Sequence, residues 1–380
     1  MSLVFSEEQD ELRRVLRSYF ASHCSLQETR RLMETTDGYD PRVWKQMGDE
    51  LGLQGIALPE AFGGGGFSFI DQVVIVEEMG RALVSSPYFS SVILAGTALL
   101  NSGDEAAQND FLPQIASGQM IATLAVSEND GDWSGATCET SAIEVDGTFV
   151  LSGTKSFVLD GAVADLILVL AQTPAGPSLF AVEGEPLGLT RTPLKTLDAT
   201  RKLALLEFSS VPARLIGPIG TGLSAVLPAV QTAIVALAVE QVGAANRCLE
   251  ICVDYAKSRV QFGRPIGGFQ AIKHKCANLL MHVESSRSAA YYAAWAIADD
   301  SDDVSLATSL AKAYCSDTFN MATADLIQIL GGIGFTWEHD AHLYYRRSRS
   351  SALLFGSPER HRDIVAGILL DAVDRQDAQS

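Results

Sequence analysis

Between Ile216 and Asn246 the chain carries one charged side chain, Glu240, in a run of Ala, Val, Leu and Ile. A segment that apolar belongs in a protein core or in a lipid bilayer. Pro218 and Pro228, the neighbouring glycines, and Gln231 and Gln241 interrupt the uniformity that a membrane span needs. The run therefore predicts a long helix lying mostly inside the protein, with no membrane partner. A carboxylate on such a helix is partly desolvated. Burial would raise the pKa of Glu240 and make it a stronger base than a surface glutamate, suited to removing a proton next to a carbonyl. The alternative is a glutamate at a helix surface or subunit contact, paired with Arg247 two turns on.

Around this helix the hydrophobic period changes twice. Residues 1–120 read as helical: Ser6-Glu7-Glu8-Gln9 has the form of a capped start, and Leu12, Val15, Leu16, Tyr19 and Phe20 recur at helical spacing. The Gly63-Gly64-Gly65-Gly66 run is a loop and not a phosphate loop, since no lysine follows it and no strand precedes it. Residues 121–217 take the period of strands. Ala142–Val145 and Thr148–Leu151 flank Asp146-Gly147, the signature of a hairpin with a two-residue turn. Residues 218–380 return to the helical period. The chain is thus mostly α with a central β domain. It has no alternating βαβ pattern and no Gly-x-Gly-x-x-Gly strand turn, so a Rossmann domain is not supported.

A length of 380 residues suits two or three domains, and 47% hydrophobic against 19% charged residues describes an ordinary globular protein. The net charge of −18 argues against nucleic acid or an anionic membrane surface as a partner. An anionic ligand would have to be held by local arginines. The six cysteines are scattered, with no Cys-x-x-Cys pair and no clustered histidines, which predicts no metal site and a reducing compartment. The amino terminus lacks the regions of a signal peptide, and the expected location is the cytoplasm.

The stretch Arg259-Val260-Gln261-Phe262-Gly263-Arg264-Pro265-Ile266-Gly267-Gly268-Phe269-Gln270 sets a fixed cation, an aromatic and two amides among glycines. Such a set suits an anionic, planar cofactor: a forked guanidinium for a pyrophosphate, a ring face for a purine, and backbone amides freed at a break. The same residues also suit a helix-loop-helix corner with Phe262 and Ile266 as core plugs.

Over nearly its full length the chain resembles the acyl-CoA dehydrogenases. The likeness is carried by Leu58-Pro59-Glu60-Ala61-Phe62-Gly63-Gly64, Glu77-Glu78-Met79-Gly80, Phe111-Leu112-Pro113, Leu151-Ser152-Gly153-Thr154-Lys155, Tyr255 to Gln270, and Gln328-Ile329-Leu330-Gly331-Gly332-Ile333-Gly334-Phe335. The resemblance implies an amino-terminal helical domain, a middle β-barrel-like domain and a carboxy-terminal four-helix bundle. It implies FAD, an acyl-CoA substrate, an oligomer, and electron-transferring flavoprotein as acceptor. The implied reaction is α,β-dehydrogenation, a carboxylate taking the α-proton while hydride passes from the β-carbon to flavin N5. By position, Arg259, Phe262 and Gln270 match the residues that hold the ADP half of a neighbouring subunit's FAD. Gln328, Gly331 and Gly332 match the second segment of that contact.

The flavin half departs from the family pattern. Where the family has Thr-Glu-Pro-Gly-x-Gly-Ser-Asp, this chain has Ser127-Glu128-Asn129-Asp130-Gly131-Asp132-Trp133-Ser134. Phe157 stands for the tryptophan that flanks the flavin, and Leu159 for a threonine whose hydroxyl lies near it. The position of the usual base is Phe355, which cannot take a proton. Glu240 lies on the helix where other members carry theirs, about two turns further along. Two readings follow. One is an active flavoenzyme with Glu240 as base. The other is a poorly catalytic or non-catalytic partner subunit of a heteromeric enzyme, as in some bacterial dehydrogenases of sterol side-chain breakdown. A third keeps the fold and changes the chemistry to flavin-dependent oxidation or hydroxylation.

Overall fold

The computed structural model describes residues 5–377. In chain order its helices and strands are α1 (Glu7–His23), α2 (Leu26–Met33), α3 (Pro41–Asp49), α4 (Phe69–Ala82), a π-helical turn (Phe89–Gly96), α5 (Thr97–Asn101) and α6 (Glu105–Ala116). Next come β1 (Ala122–Ala125), β2 (Ser141–Val145), β3 (Thr148–Leu159), β4 (Leu166–Thr173), β5 (Gly176–Glu183), β6 (Leu189–Pro193) and β7 (Leu203–Ile216). The remainder is α7 (Gly222–Ser258), a short hairpin of β8 (Val260–Gln261) and β9 (Arg264–Pro265), α8 (Gln270–Ala298), α9 (Val304–Leu330), α10 (Ala341–Leu353) and α11 (Pro358–Asp377).

Contacts group these elements into two compact units that cut across the three sequence segments. One holds the residues up to Leu26, Val73–Val84 and everything from Ile234. The other holds Gln27–Gln72 and Ser85–Ala233. The amino-terminal helix α1 and most of α4 therefore belong with the carboxy-terminal helices.

In the first unit, α1 starts as its sequence predicts: Ser6 Oγ accepts from the Gln9 amide while the Gln9 side chain accepts from the Ser6 amide. The α4 and α7 backbones lie against each other at two glycines. A Cβ on Gly243 would stand 1.9 Å from the Glu77 carbonyl oxygen, and one on Gly80 would stand 2.1 Å from the Glu240 carbonyl oxygen. Buried Glu77 accepts from Arg13 and from the Tyr291 hydroxyl, both at 2.6 Å, and also from Arg287. Glu78 takes both ends of the Arg17 guanidinium. Burial works to raise the Glu77 carboxyl, and the guanidiniums of Arg287 and Arg13 outweigh it, holding the group below its ordinary value.

Helices α8 and α9 form an antiparallel pair. Lys275 meets Asp325, His282 meets Tyr314 and Ser286 meets Thr318, so residue numbers across the pair sum to a nearly constant value. Extended to the end, this register sets the start of α8 beside the end of α9. Helix α7 is long and apolar enough to cross a membrane, yet most of its apolar window is buried inside the protein. It is a core helix, as the sequence predicts.

In the second unit β2 and β3 form the expected hairpin, with Asp146 and Gly147 both at positive φ as a two-residue turn of the primed kind requires. The strands run β1-β4-β2-β3-β7-β5, and β4 also pairs with β5, so the sheet closes on itself with β6 attached to β7. Closure removes the free edges of β4 and β5. On the helical side, Trp44 Nε1 donates to the Gly118 carbonyl and Gln54 Nε2 to the Trp44 carbonyl, pinning α3.

Replacing Gly243 with Ala drives a methyl into a backbone carbonyl that has nowhere to move. We expect a loss of stability of about 1–3 kcal/mol, measured by denaturant titration, and an alanine variant as stable as the parent would refute this close crossing.

Candidate active site

The stretch at Arg259 is a projecting two-stranded hairpin. Val260 pairs with Pro265 and Gln261 with Arg264, and Phe262 and Gly263 at φ 53° and 77° make the turn. Phe262 is 92% exposed, so it is not a core plug. Its ring meets Phe269 edge to face at 6.1 Å, and the Arg264 guanidinium covers the Phe269 ring at 4.2 Å. Arg259 and Gln270 are exposed, and no side chain caps the start of α8 at Gln270. At the far end of α9, Gln328 is exposed. Gly331 turns at φ 66°, and a Cβ at Gly331 or Gly332 would meet nothing within 4 Å. The antiparallel α8–α9 register brings these two segments to one end of the helix pair. A guanidinium, an exposed ring, two amides, an uncapped helix start and an open glycine corner make a set that fits an adenosine diphosphate.

The predicted residues of the flavin half, Ser127, Phe157 and Leu159, lie in the second unit and are differently placed. Ser127 is fully buried, its carbonyl accepting from the Ser156 amide. Phe157 keeps an exposed ring face at φ 58°. Leu159 is buried and offers no hydroxyl. Residues 128–138 are tied to their own carboxylates: Asp130 accepts from the Asp132 amide and Thr137, Asp132 from the Ser134 amide, and Glu128 from the amides of Glu139 and Thr140. Amides spent on local carboxylates are not available to a phosphate, and three acids in this segment repel one.

Beneath the segment lies a buried cation that sequence reasoning missed. Lys155, 0% exposed, donates to Glu128 Oε1 at 2.7 Å and to the Val126 carbonyl at 3.0 Å, with Cys138 Sγ at 3.6 Å. Burial works to raise the Glu128 carboxyl. The Lys155 ammonium and the two amides outweigh it and hold the group below its ordinary value.

Glu240 is buried, as predicted, but its partner is not Arg247. Arg247 lies on Glu250 at 3.0 Å. Glu240 Oε1 accepts from Arg347 Nη1 of α10 at 2.7 Å, with both side chains more than nine-tenths buried. An oxygen engaged by a buried guanidinium can reach a substrate proton only by giving up that bond. Phe355, at the usual position of the base, is also fixed. Its backbone sits at φ 61°, and its carbonyl faces His361 Nε2 at 3.1 Å. The carbonyls of Ser351 and Ala352 accept from buried Lys312, each at 3.0 Å. Because a carbonyl can only accept, Nε2 carries the proton in neutral His361, and Nδ1 faces the Ser309 hydroxyl.

Three family models tile the chain: the acyl-CoA dehydrogenase amino-terminal domain over residues 6–119, the middle domain over 123–211 and the carboxy-terminal domain over 220–370. "Acyl-CoA dehydrogenase IpdE2" of Mycolicibacterium smegmatis is 34% identical across 93% of this chain and 96% of its own length. The chain belongs to the acyl-CoA dehydrogenase family. Its fold matches that of a solved variant of the Tcur3481-Tcur3483 steroid ACAD with a TM-score of 0.87 at 29% identity, over 97% of this chain and 99% of that one. It also matches the ChsE4-ChsE5 complex from Mycobacterium tuberculosis with a TM-score of 0.86 at 25% identity, over the whole of both chains.

Acyl-CoA dehydrogenases are flavin-dependent oxidoreductases, and the fit of FAD to this chain divides into halves. The adenylate half fits the exposed residues at Arg259–Gln270 and Gln328–Gly332. The flavin half does not fit the self-bonded, acidic 128–138 segment with Leu159 behind it. Sequence reasoning missed Arg347, Lys155, Lys312 and His361. Lys155 stands in a family motif whose likeness was legible while its partner was not. Arg347 lies 107 residues from Glu240, with no local signal joining the two.

Replacing Lys155 with Met strands buried Glu128, at a cost of about 3–5 kcal/mol, readable as a lowered denaturation midpoint. His361, buried and neutral, has its pKa lowered to about 4, with burial the main cause. The unfolded chain therefore binds this proton at higher pH than the folded one, so stability is lost as pH falls from about 6.5 towards about 4. In His361→Asn the slope of stability against pH should flatten in that window.

Proposed function

We propose that this chain is the adenylate-donating subunit of a paired acyl-CoA dehydrogenase. It lends Arg259, Phe262, Gln270, Gln328, Gly331 and Gly332 to FAD cradled mainly by a homologous partner subunit. The partner carries the base for α,β-dehydrogenation of the acyl-CoA. The observation that carries this reading is the commitment of Glu240 to Arg347 while position 355 is a phenylalanine. Neither position of a family base offers a carboxylate poised for a substrate, yet the adenylate-facing residues stand exposed.

When bound, FAD accepts the hydride from the β-carbon of the acyl group. This chain's part is to hold and orient. Arg259 would face the diphosphate, the Phe262 ring the adenine, and the bare corner at Gly331 and Gly332 would admit the nucleotide close to the backbone. The two matched solved structures, whose names each join two proteins, favour a paired assembly. We place the enzyme in the cytoplasm, in keeping with six cysteines outside any disulfide, with electron-transferring flavoprotein as acceptor.

A second reading is favoured by the burial of Glu240 in an apolar helix. Here the chain forms a homo-oligomer, and Glu240, released by Arg347, is the base. Purifying the chain alone and with a homologous partner separates the two. The paired reading expects a colourless chain alone, flavin and acyl-CoA turnover only in the mixture, and full turnover with Glu240→Gln in this chain. Arg259→Ala should lower the flavin content of the mixture by tenfold or more, roughly what losing a charge-assisted contact implies. One FAD per protomer and turnover in the chain alone, abolished by Glu240→Gln, would establish the second reading instead.

A further inference from the structure

Cys138 and Lys155 stand together without any role in holding a nucleotide. Lys155 is fully buried, and its ammonium has three donors for three acceptors: the Val126 carbonyl, Glu128 Oε1 and, at 3.6 Å, Cys138 Sγ. Cys138 is half-buried, not sealed in the core. Its thiol lies 3.4 Å from the Leu170 carbonyl, which takes the S–H proton and leaves a sulfur lone pair towards Lys155. The sulfur and nitrogen are too far apart for a direct bond without a large shift of Cys138 against Lys155, which β3 holds in place. One bridging oxygen asks for a much smaller movement.

The geometry points to an oxidative cross-link in which an oxygen atom joins Cys138 Sγ to Lys155 Nζ, made by hydrogen peroxide. A first peroxide oxidises sulfur by two electrons: an S–O bond forms, the O–O bond breaks and water leaves, giving the sulfenic acid. The ammonium gives up a proton, passed by way of Glu128, already bonded to Nζ, to solvent, which frees the nitrogen lone pair. A second peroxide accepts the two electrons that nitrogen loses as the O–N bond forms. The balance is one thiol, one ammonium and two peroxides giving the S–O–N bridge, three waters and one proton. Burial pushes the Cys138 thiol up, and the Lys155 ammonium only partly counters it, so the reactive thiolate is scarce and the reaction is slow. Bridging removes the ammonium charge from Glu128, whose remaining contacts are the amides of Glu139 and Thr140, and so loosens the tie between β3 and the 128–140 segment.

The test is peptide mass mapping of the full chain after peroxide treatment. Cleavage after glutamate cuts at Glu139 and Glu144, between the two residues. The expected product is a pair of joined peptides carrying Cys138 and Lys155, heavier than their sum by one oxygen and lighter by two hydrogens. Dithiothreitol should separate them. The joined species should be absent from Cys138→Ala, and from Lys155→Arg, which keeps the cation and cannot bridge. The inference is overturned by Cys138 sulfinic acid with an unmodified Lys155 amine. It is equally overturned by a joined pair lacking the oxygen, or by an intact Cys138 under conditions that oxidise part-exposed Cys24 or Cys276.

Discussion

The close crossing of α4 and α7 is the constraint on which the helical unit depends. With hydrogen at Gly80 and Gly243, the two backbones come within contact of each other's carbonyls, and α4 is held deep enough for Glu77 and Glu78 to be buried. Buried carboxylates must be answered by cations. Arg13 and Arg17 from α1 and Arg287 from α8 answer them. One steric fact on two helices thus recruits two more. The same logic holds the barrel unit, where buried Glu128 and Lys155 tie the 128–140 segment to β3.

Much of this was legible in the sequence. The Ser6 cap, the Asp146-Gly147 turn and the apolar run of α7 are local signals, and each acts within a few residues. The residues proposed to face the adenylate lie on a hairpin, a helix start and a glycine corner, local features that the sequence also marks. What sequence alone did not disclose was pairing over distance. The one partner that periodicity offered Glu240, in the alternative of a surface glutamate, was Arg247 on the same helix, and its partner Arg347 comes from α10. Phe262 could be read as a buried plug or an exposed face, since a two-residue hairpin at the end of a helix leaves the same hydrophobic mark as a packed corner.

The two family base positions are occupied in different ways. At 240 a carboxylate is present and engaged. Position 355 is a phenylalanine, and its backbone is fixed by Lys312 and His361, the first through the end of α10 and the second through the Phe355 carbonyl. These contacts hold Phe355 in a left-handed backbone, where a non-glycine residue carries strain of order 1 kcal/mol or more.

The surface proposed to receive a nucleotide is carried by one antiparallel helix pair and the hairpin at its end. Its residues come from two stretches whose spacing is set by the α8–α9 register, and none lies in the closed sheet. Changes in the 128–138 segment leave that register untouched, so the two halves of the proposed cofactor site can vary independently.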